Sequence, residues 1–554
     1  MSDMRAVLCK VRYNEHAALI KQQGKKLHQG IGMVSDTLIS TDYWTDLQIN
    51  QQDIEFLHNH LFEYETPLTA RELAVVFIQE RIRTERLELQ RKRQAGGKTY
   101  FPKETYQVGD GLVFPALNWQ QGNVVSVRAG VNPELGSFDV LTVQMDDHSE
   151  RLFASNLTPH ALNEQPATVE NDEYDSDAIL QEHGIQIERK IESAFRDDPG
   201  LVRIAGRWFP RALLVDVNIG HLNLAEAVLD MSGGEPLPTS ALLKDVALPD
   251  GVNPKLAEFS LNLALQEDGR FDEVGPAGEV LWCLRRLEPQ EVREVPLHLQ
   301  YEPIDYDPDI LNSEMLALEA QLDDELSEID SKPDPKLQEV TLSLIYPHLR
   351  SGTLPISSRV RSMFPTAYES PRVRFTLVDG RTKQKMPGWV VREHWYVYGL
   401  REWYKANDLI PGSLVRIRRG ERAGEVVIEA KTYRATKDWV RTVIVGADGG
   451  IVFAMLKQSI SAEFNDRMAF AIPSFEAVDQ LWVQERKRPF EKLVANLIHE
   501  MSKLTPQGHV HAQELYSAVN IVRRTPPAPL FALLASKPEF IHVGDLHFRL
   551  GELE

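Results

Sequence analysis

Apolar residues recur along this chain at two spacings, and the switches between them mark its parts. Over residues 222–231, Leu224, Ala225, Val228 and Leu229 fall at helical spacing and the run stops at Gly233-Gly234. Pro236 and Pro238 set a rigid turn, Thr239 offers an N-cap for a helix over 240–246, and Asn253-Pro254 opens a third helix. The spacing then changes from helical to alternating. DGRF (268–271) leads into a strand, a Gly/Pro-rich loop and a second strand carrying Trp282, Leu284 and Arg285. Three short helices and a ribbon bury one small core, with Phe259, Leu263, Phe271 and Trp282 as its expected members.

The same order recurs. Residues 200–213 and 539–550 each read as strand, glycine turn, strand, with Trp208 or Phe548 after the turn, and helices over 490–503, 512–523 and 529–536 precede the second ribbon. Near the start, 53–64 predicts a helix and Thr69-Ala-Arg-Glu72 is a capping box opening another. ETPLT (65–69) and EPLPT (235–239) read as one turn in two copies of a unit. Between the first helices and the first ribbon, residues 106–157 hold four or five short β-rich runs broken by Gly, Pro and Asn, the pattern of a small barrel. With 178–196 as the first unit's third helix, this barrel is either an insertion within that unit or free-standing.

DGRF followed by W-x-L-R resembles the closing signature of the HARE-type winged-helix family, typified by the delta subunit of bacterial RNA polymerase. The resemblance covers residues 216–289. It implies a winged-helix fold and a place in transcription or DNA transactions, with docking onto RNA polymerase or another protein rather than reading of a base sequence. The barrel is similar to SH3-like barrels of transcription-coupling and nucleic-acid factors.

The formal net charge of −20 argues against nucleic acid until its distribution is considered. Residues 288–334 carry 15 acidic side chains against two basic, with PIDYDP and SKPDPK among them, and predict a solvated linker with a helix near 312–329. Residues 350–441 carry 19 Lys/Arg against 9 Asp/Glu. That segment alternates as strands over 372–380, 388–391, 413–420, 424–434 and 439–446, with a short helix over 398–409, and is similar to B3-type DNA-binding pseudobarrels. Period-two spacing puts Arg372 with Arg374, and Arg416 with Arg418, on one face each, where a sheet can present cations to phosphates. Arg419, Arg434, Lys437 and Arg441 complete the predicted nucleic-acid-binding set. A plain solvated outer face accounts for the same pattern.

Candidate chemistry is sparse. Phosphate-loop, dinucleotide, nucleophile-elbow and HExxH motifs are absent. Asp408 with Glu429-Ala-Lys431 has the residue types of a Mg-dependent nuclease, in which two carboxylates hold the metal and the lysine polarises water. His499, His509, His511, His542 and His547 gather at the end without cysteine or a clear carboxylate to complete a metal site. Trp395, Tyr396, Tyr398, Trp403 and Tyr404 are candidates for base stacking or for the core. Cys9 and Cys283 offer no disulfide framework or zinc spacing, and no apolar run reaches membrane-spanning length.

At 554 residues one core is implausible, and 43% hydrophobic content is ordinary for a globular chain. The expected fold is α+β and multidomain, with winged-helix units combined with small β-barrel domains. The predicted parts are 1–50, an N-terminal extension, partly disordered; 51–215, a winged helix with the barrel at about 100–160 inserted; 216–289, the HARE-like unit; 290–336, an acidic linker; 337–486, the basic β-rich domain; and 487–554, a C-terminal winged helix. The expectation is a cytoplasmic, non-enzymatic protein without cofactor or metal, with DNA, and RNA polymerase or another protein, as partners and no membrane. A Mg-dependent nuclease or restriction-associated factor, and a protein-interaction scaffold without nucleic acid, are the alternatives.

Overall fold

The computed structural model describes residues 41–551 apart from 95–96, 118–119, 133–135, 164–175, 250, 329–336, 423 and 447–448. Most of the predicted N-terminal extension, including Cys9, and the SKPDPK part of the acidic run lie outside the described residues. The fold is mixed α+β, and no helix among the described residues is long and apolar enough to cross a membrane. The chain forms two compact units, residues 1–202 with 208–211, and residues 203–207 with 212–554.

In the first unit, helix Gln51–Tyr64 opens on a reciprocal cap. Asn50 Oδ1 accepts the Asp53 N–H at 3.0 Å and the Asp53 carboxylate accepts the Asn50 N–H at 2.9 Å. A short strand, Leu68–Thr69, leads into helix Ala70–Gln94, where the Glu72 carboxylate accepts the Thr69 N–H at 2.7 Å and the Glu72 N–H donates to Thr69 Oγ1 at 3.2 Å. Helix Ser176–Arg196 and the strands Leu201–Ile204 and Arg207–Pro210 complete the layer, and the sheet orders Leu68–Thr69, Arg207–Pro210, Leu201–Ile204. Leu57, Phe77, Ile78, Ile187, Phe195 and Trp208 share its core. Trp44 and Leu47 are buried in the same core, so the expected N-terminal extension ends before Tyr43 rather than at residue 50. The five β-rich strands, Lys98–Thr99, Gly111–Phe114, Gln120–Ala129, Asp139–Met145 and Glu150–Ser155, form one sheet in chain order over Tyr100, Phe114, Val124, Leu141 and Val143. They lie in the chain between two helices that pack on each other, which makes them an insertion.

The second unit begins with helices Ile219–Met231, Thr239–Leu242 and Pro254–Glu267 and a sheet ordered Phe271–Glu273, Leu281–Leu284, Leu237–Pro238. Trp282 is fully buried beside Phe271, and its indole N–H reaches Asn262 Oδ1 at 2.9 Å and Thr239 Oγ1 at 3.2 Å. Thr239 therefore does not cap. It is the first residue of its helix, and its hydroxyl donates to Asn262 Oδ1 at 2.6 Å because the indole needs a polar partner inside an apolar core.

The acidic run corrects the linker expectation. Helix Ser313–Leu322 buries Met315 and Leu318 in the same core as Leu530 and Phe531 of the C-terminal helices. Asp323 accepts from Ser358 Oγ at 2.6 Å and Arg359 Nε at 3.0 Å. Asp324 and Glu325 meet the fully buried Arg524 at 2.9 and 2.8 Å, and Glu325 also bonds His348 at 3.0 Å. Composition marked these carboxylates as solvated, but Asp323, Asp324 and Glu325 each have a cationic or hydroxyl partner contributed from elsewhere in the chain.

Seven strands then make one sheet in the order Glu339–Ser343, Leu414–Arg419, Glu425–Ala430, Arg372–Asp379, Lys385–Val391, Tyr396–Tyr398, Thr353–Pro355. Arg372–Asp379 and Glu425–Ala430 pair parallel and the other neighbours antiparallel. The helix expected over 398–409 is shorter, Arg401–Ala406, because Tyr396–Tyr398 belongs to the sheet; the strand expected over 424–434 is two, ending at Ala430 and restarting at Thr432. Strands Thr432–Val445 and Ile451–Ala462 form a long hairpin in a separate sheet with Phe470–Ala471. Helices Phe475–Glu485, Phe490–Ser502, Ala512–Val522 and Pro527–Ser536, with a sheet ordered Val510–His511, His547–Leu550, Phe540–Gly544, end the chain. Val443, Phe453, Phe470 and Trp482 share a core with Leu497, Leu515 and Phe548, so no core boundary falls at the expected 486/487.

Two stability predictions follow from this packing. Trp282→Ala should lower unfolding stability by roughly 3–5 kcal/mol, the range for emptying a core aromatic site, measured by chemical denaturation. Arg524→Met should lower it by about 3–5 kcal/mol, because it strands the carboxylates of Asp324 and Glu325 without their cation. Burial opposes ionisation of Glu325, but Arg524 and His348 outweigh it and hold its carboxyl well below the usual range. A depressed carboxyl stabilises the fold above the unfolded value of 4.5 and that contribution disappears as pH falls, so the wild type should lose stability in acid more steeply than Arg524→Met.

Candidate nucleic-acid interface

The long hairpin is the place to begin, because its two halves have different surroundings. Alternation aligns Lys437, Trp439, Arg441, Val443 and Val445 on one face, opposite Ser459, Lys457, Met455, Phe453 and Ile451. At the turn end, Val443, Ile451 and Phe453 are buried against the C-terminal helices. The register shifts between Thr432 and Thr436, where the first strand begins. Toward that end Tyr433, Arg434, Lys437, Met455, Leu456 and Lys457 are exposed, while Val440 and Ile460 are buried with Ala469 and Ala471. Trp439 is 62% exposed, and the Lys457 ammonium opposite it stands 5.4 Å from its ring centroid. Among the described residues no carboxylate lies within ion-pair distance of Arg434, Lys437 or Lys457.

The eight predicted cations separate into two groups. Arg434 and Lys437 are exposed on this hairpin. Arg416 is exposed on Leu414–Arg419 but pairs with Glu339 at 3.1 Å and stands opposite Glu429 on the next strand. Arg418 is half-buried on the same face, and exposed Arg419 donates to the Ser362 carbonyl at 3.0 Å. The other three point inward. Arg372 bonds Asp272, donates to the Val292 carbonyl at 3.0 Å and lies 3.8 Å from Glu288, whose carboxyl burial pushes up to about 8. Arg374 lies against Trp389 and donates to the Phe375 carbonyl at 2.7 Å, and burial pulls its guanidinium below its ordinary value. Arg441 pairs with Glu514 and donates to the Asp466 carbonyl at 2.7 Å.

Arg372 and Arg374 do share a face, as their spacing requires, but that face is covered. Trp389, Val391 and Tyr396 lie on it and pack with Val274 and Cys283 of the preceding ribbon and with Val292 and Leu299. Strand alternation identifies a common face; only the neighbouring elements decide whether it meets solvent.

The nuclease candidates have other engagements. Asp408 sits at φ 51° after its helix and accepts from Ser461 Oγ at 3.4 Å, Glu429 faces Arg416, and Lys431 pairs with Glu463 at 3.3 Å. Among the described residues no group of three or more His, Cys, Asp or Glu is placed to hold a metal ion. His511 Nδ1 accepts the Gln513 N–H as a helix cap, and burial, with Arg467 and His547 beside it, lowers its pKa to about 4. His547 stacks edge-on against His509 and His511 at 4.6 and 4.9 Å. His542 lies against Phe548, and His499 is exposed on its helix.

Of the aromatic candidates, Tyr396, Trp403 and Tyr404 are buried with their polar atoms bonded to Glu291, Asp379 and Thr353. Tyr398 is half-buried, and Trp395 is 38% exposed with the Arg361 guanidinium 4.0 Å over its ring. Sequence reasoning missed Trp439 and Lys457 as a pair. The available signal was a tryptophan between Lys437 and Arg441 on alternating positions, but its exposure depends on which face of the hairpin a neighbouring core covers, and Val440 and Ile460 are buried on the other one. Comparison of the chain with protein-family models, with curated proteins and with solved structures gives no match.

Proposed function

We propose that this chain is a non-enzymatic, nucleic-acid-associated protein that holds the phosphate backbone with the exposed cations of the long hairpin, supplemented by Arg416, Arg418 and Arg419. The observation that carries the reading is exposed Arg434, Lys437 and Lys457 on the strands that also expose Trp439, cations with no carboxylate within ion-pair distance among the described residues. Phosphate contacts of this kind position a protein without reading sequence.

Helix, helix, helix and ribbon, with a short strand pairing the ribbon, is the winged-helix arrangement, and three parts of the chain fit it. None suits groove reading. In the C-terminal unit, Pro527–Ser536 occupies the place of a recognition helix, yet residues 527–532 are buried and it packs on Ser313–Leu322. In the middle unit, helix Pro254–Glu267 buries Leu256, Phe259, Leu261 and Leu265 and contributes only Lys255 as a cation. Base readout needs Arg, Lys, Asn or Gln projecting from such a helix. These units therefore serve as structural and protein-docking elements, with RNA polymerase the partner that the HARE-type resemblance suggests.

The full chain should bind duplex DNA with little sequence preference in a mobility-shift titration, and affinity should fall steeply as salt rises. Combined Lys437→Glu and Lys457→Glu should weaken binding uniformly across sequences and flatten the salt dependence by about two phosphate contacts. A folded chain that leaves both duplex and single-stranded DNA unbound at about 50 mM salt, where phosphate contacts are strong, overturns the reading.

A further inference from the structure

Building on the phosphate-binding reading, we infer that the hairpin and the groove beside it take an unpaired nucleobase, so that the ligand class is single-stranded nucleic acid. Exposing a tryptophan on a strand forgoes the burial its ring could gain, and here the ring stands among cations. Lys457 covers one face of the indole, and the ring's 62% exposure leaves room on the other for a flat ring to stack. Base-on-aromatic stacking needs no particular base, because every base offers a π face.

Trp439 also forms a wall of a groove of about 470 Å³ between the hairpin and the end of helix Phe490–Ser502, a size typical of small-ligand sites. Met455, Met501 and Leu504 give it an apolar side; Asp438 and Asp466 give it carboxylate acceptors, and Arg441, which also lines it, is paired with Glu514. Those two carboxylates divide the surface by chemistry. They repel a phosphate but can accept hydrogen bonds from the exocyclic amino group of a base. Arg441 inside the groove is spent on Glu514 and the Asp466 carbonyl, so phosphates are attracted instead to Arg434, Lys437 and Lys457 outside it. A duplex offers its phosphates to those cations while its bases stay stacked, leaving Trp439 and the groove empty. An unpaired strand engages both.

The test uses the full chain, fluorescence anisotropy, and labelled oligonucleotides of one mixed sequence as single-stranded DNA, single-stranded RNA and DNA duplex at equal salt. Either single strand, or both, should bind more tightly than the duplex; the two strands separate the possible sources of the same base chemistry. Trp439→Ala should weaken single-strand binding by about 5- to 150-fold, the effect of losing one stacked base, with the salt slope and duplex affinity unchanged. Trp439→Phe should recover most of that loss. Because Trp439 is exposed, circular dichroism should show both variants folded.

Equal affinity for strand and duplex, or a Trp439→Ala variant that binds strand as wild type does or loses both ligands equally, overturns this inference while leaving phosphate binding standing. A dimer in sedimentation that depends on Trp439, with strand binding unaffected, assigns the groove to a second copy and overturns it too. Failure of both strand and duplex to bind removes the underlying phosphate-binding reading, and this inference with it.

Discussion

The packing of the acidic run against the C-terminal helices depends on one buried guanidinium. Arg524 is fully enclosed and holds Asp324 and Glu325, Tyr516 donates to Asp324, and Glu325 reaches on to His348, which in turn meets Thr353 at 2.9 Å. Three parts of the chain meet there: the acidic run, the start of the seven-stranded sheet region and the C-terminal helices. Charges removed from water are tolerated only when each finds its counterpart in good geometry, so this cluster forms in full or the segments do not pack. Such an arrangement specifies which surfaces meet more than it adds net stability. It explains why an acidic run that composition assigns to solvent lies inside the molecule.

A second constraint governs the arginines. Burying the outer face of the seven-stranded sheet at Arg372 and Arg374 requires carboxylates and carbonyls facing them, and Asp272, Glu288 and the Val292 carbonyl meet Arg372 there. Cations that pair inside the molecule are unavailable to a phosphate. The local positive excess of residues 350–441 therefore overstates the charge offered to a partner. What remains includes Arg434, Lys437 and Lys457, exposed on the long hairpin. Trp439 is exposed beside Lys457 because the core that holds Val440 and Ile460 lies on the other face of the hairpin.

The helix-and-ribbon units divide between self-packing and exposure. Every residue of Ala512–Val522 except Glu514 is buried, so this helix is enclosed by the rest of its unit. The middle unit buries Trp282 within itself and sets Val274 and Cys283 against the neighbouring sheet, so its ribbon serves as a docking surface inside the chain. Exposed apolar side chains on Ile219–Met231, among them Leu224 and Met231, are the face of that unit that the second unit leaves uncovered.

Local chemistry was legible from the amino-acid order. The capping box at Thr69 and Glu72, the stop at Gly233-Gly234, the Gly544-Asp545 turn, the burial of Trp282 and most strands of the basic segment all follow from interactions within a few residues or from period-two and helical spacing. The pairing of Arg416 with Arg418 on one face was legible for the same reason. Exposure was not. Whether Arg372 faces phosphate or Asp272, whether residues 313–325 are solvated or buried, and whether Trp439 is covered all depend on side chains more than forty residues away or on where a core ends. Burial of charge is decided by a distant partner, and neither composition nor periodicity carries that partner's position. Sequence determined the elements and the faces they share; tertiary structure alone decided which faces were spent inside the protein and which were left for something else.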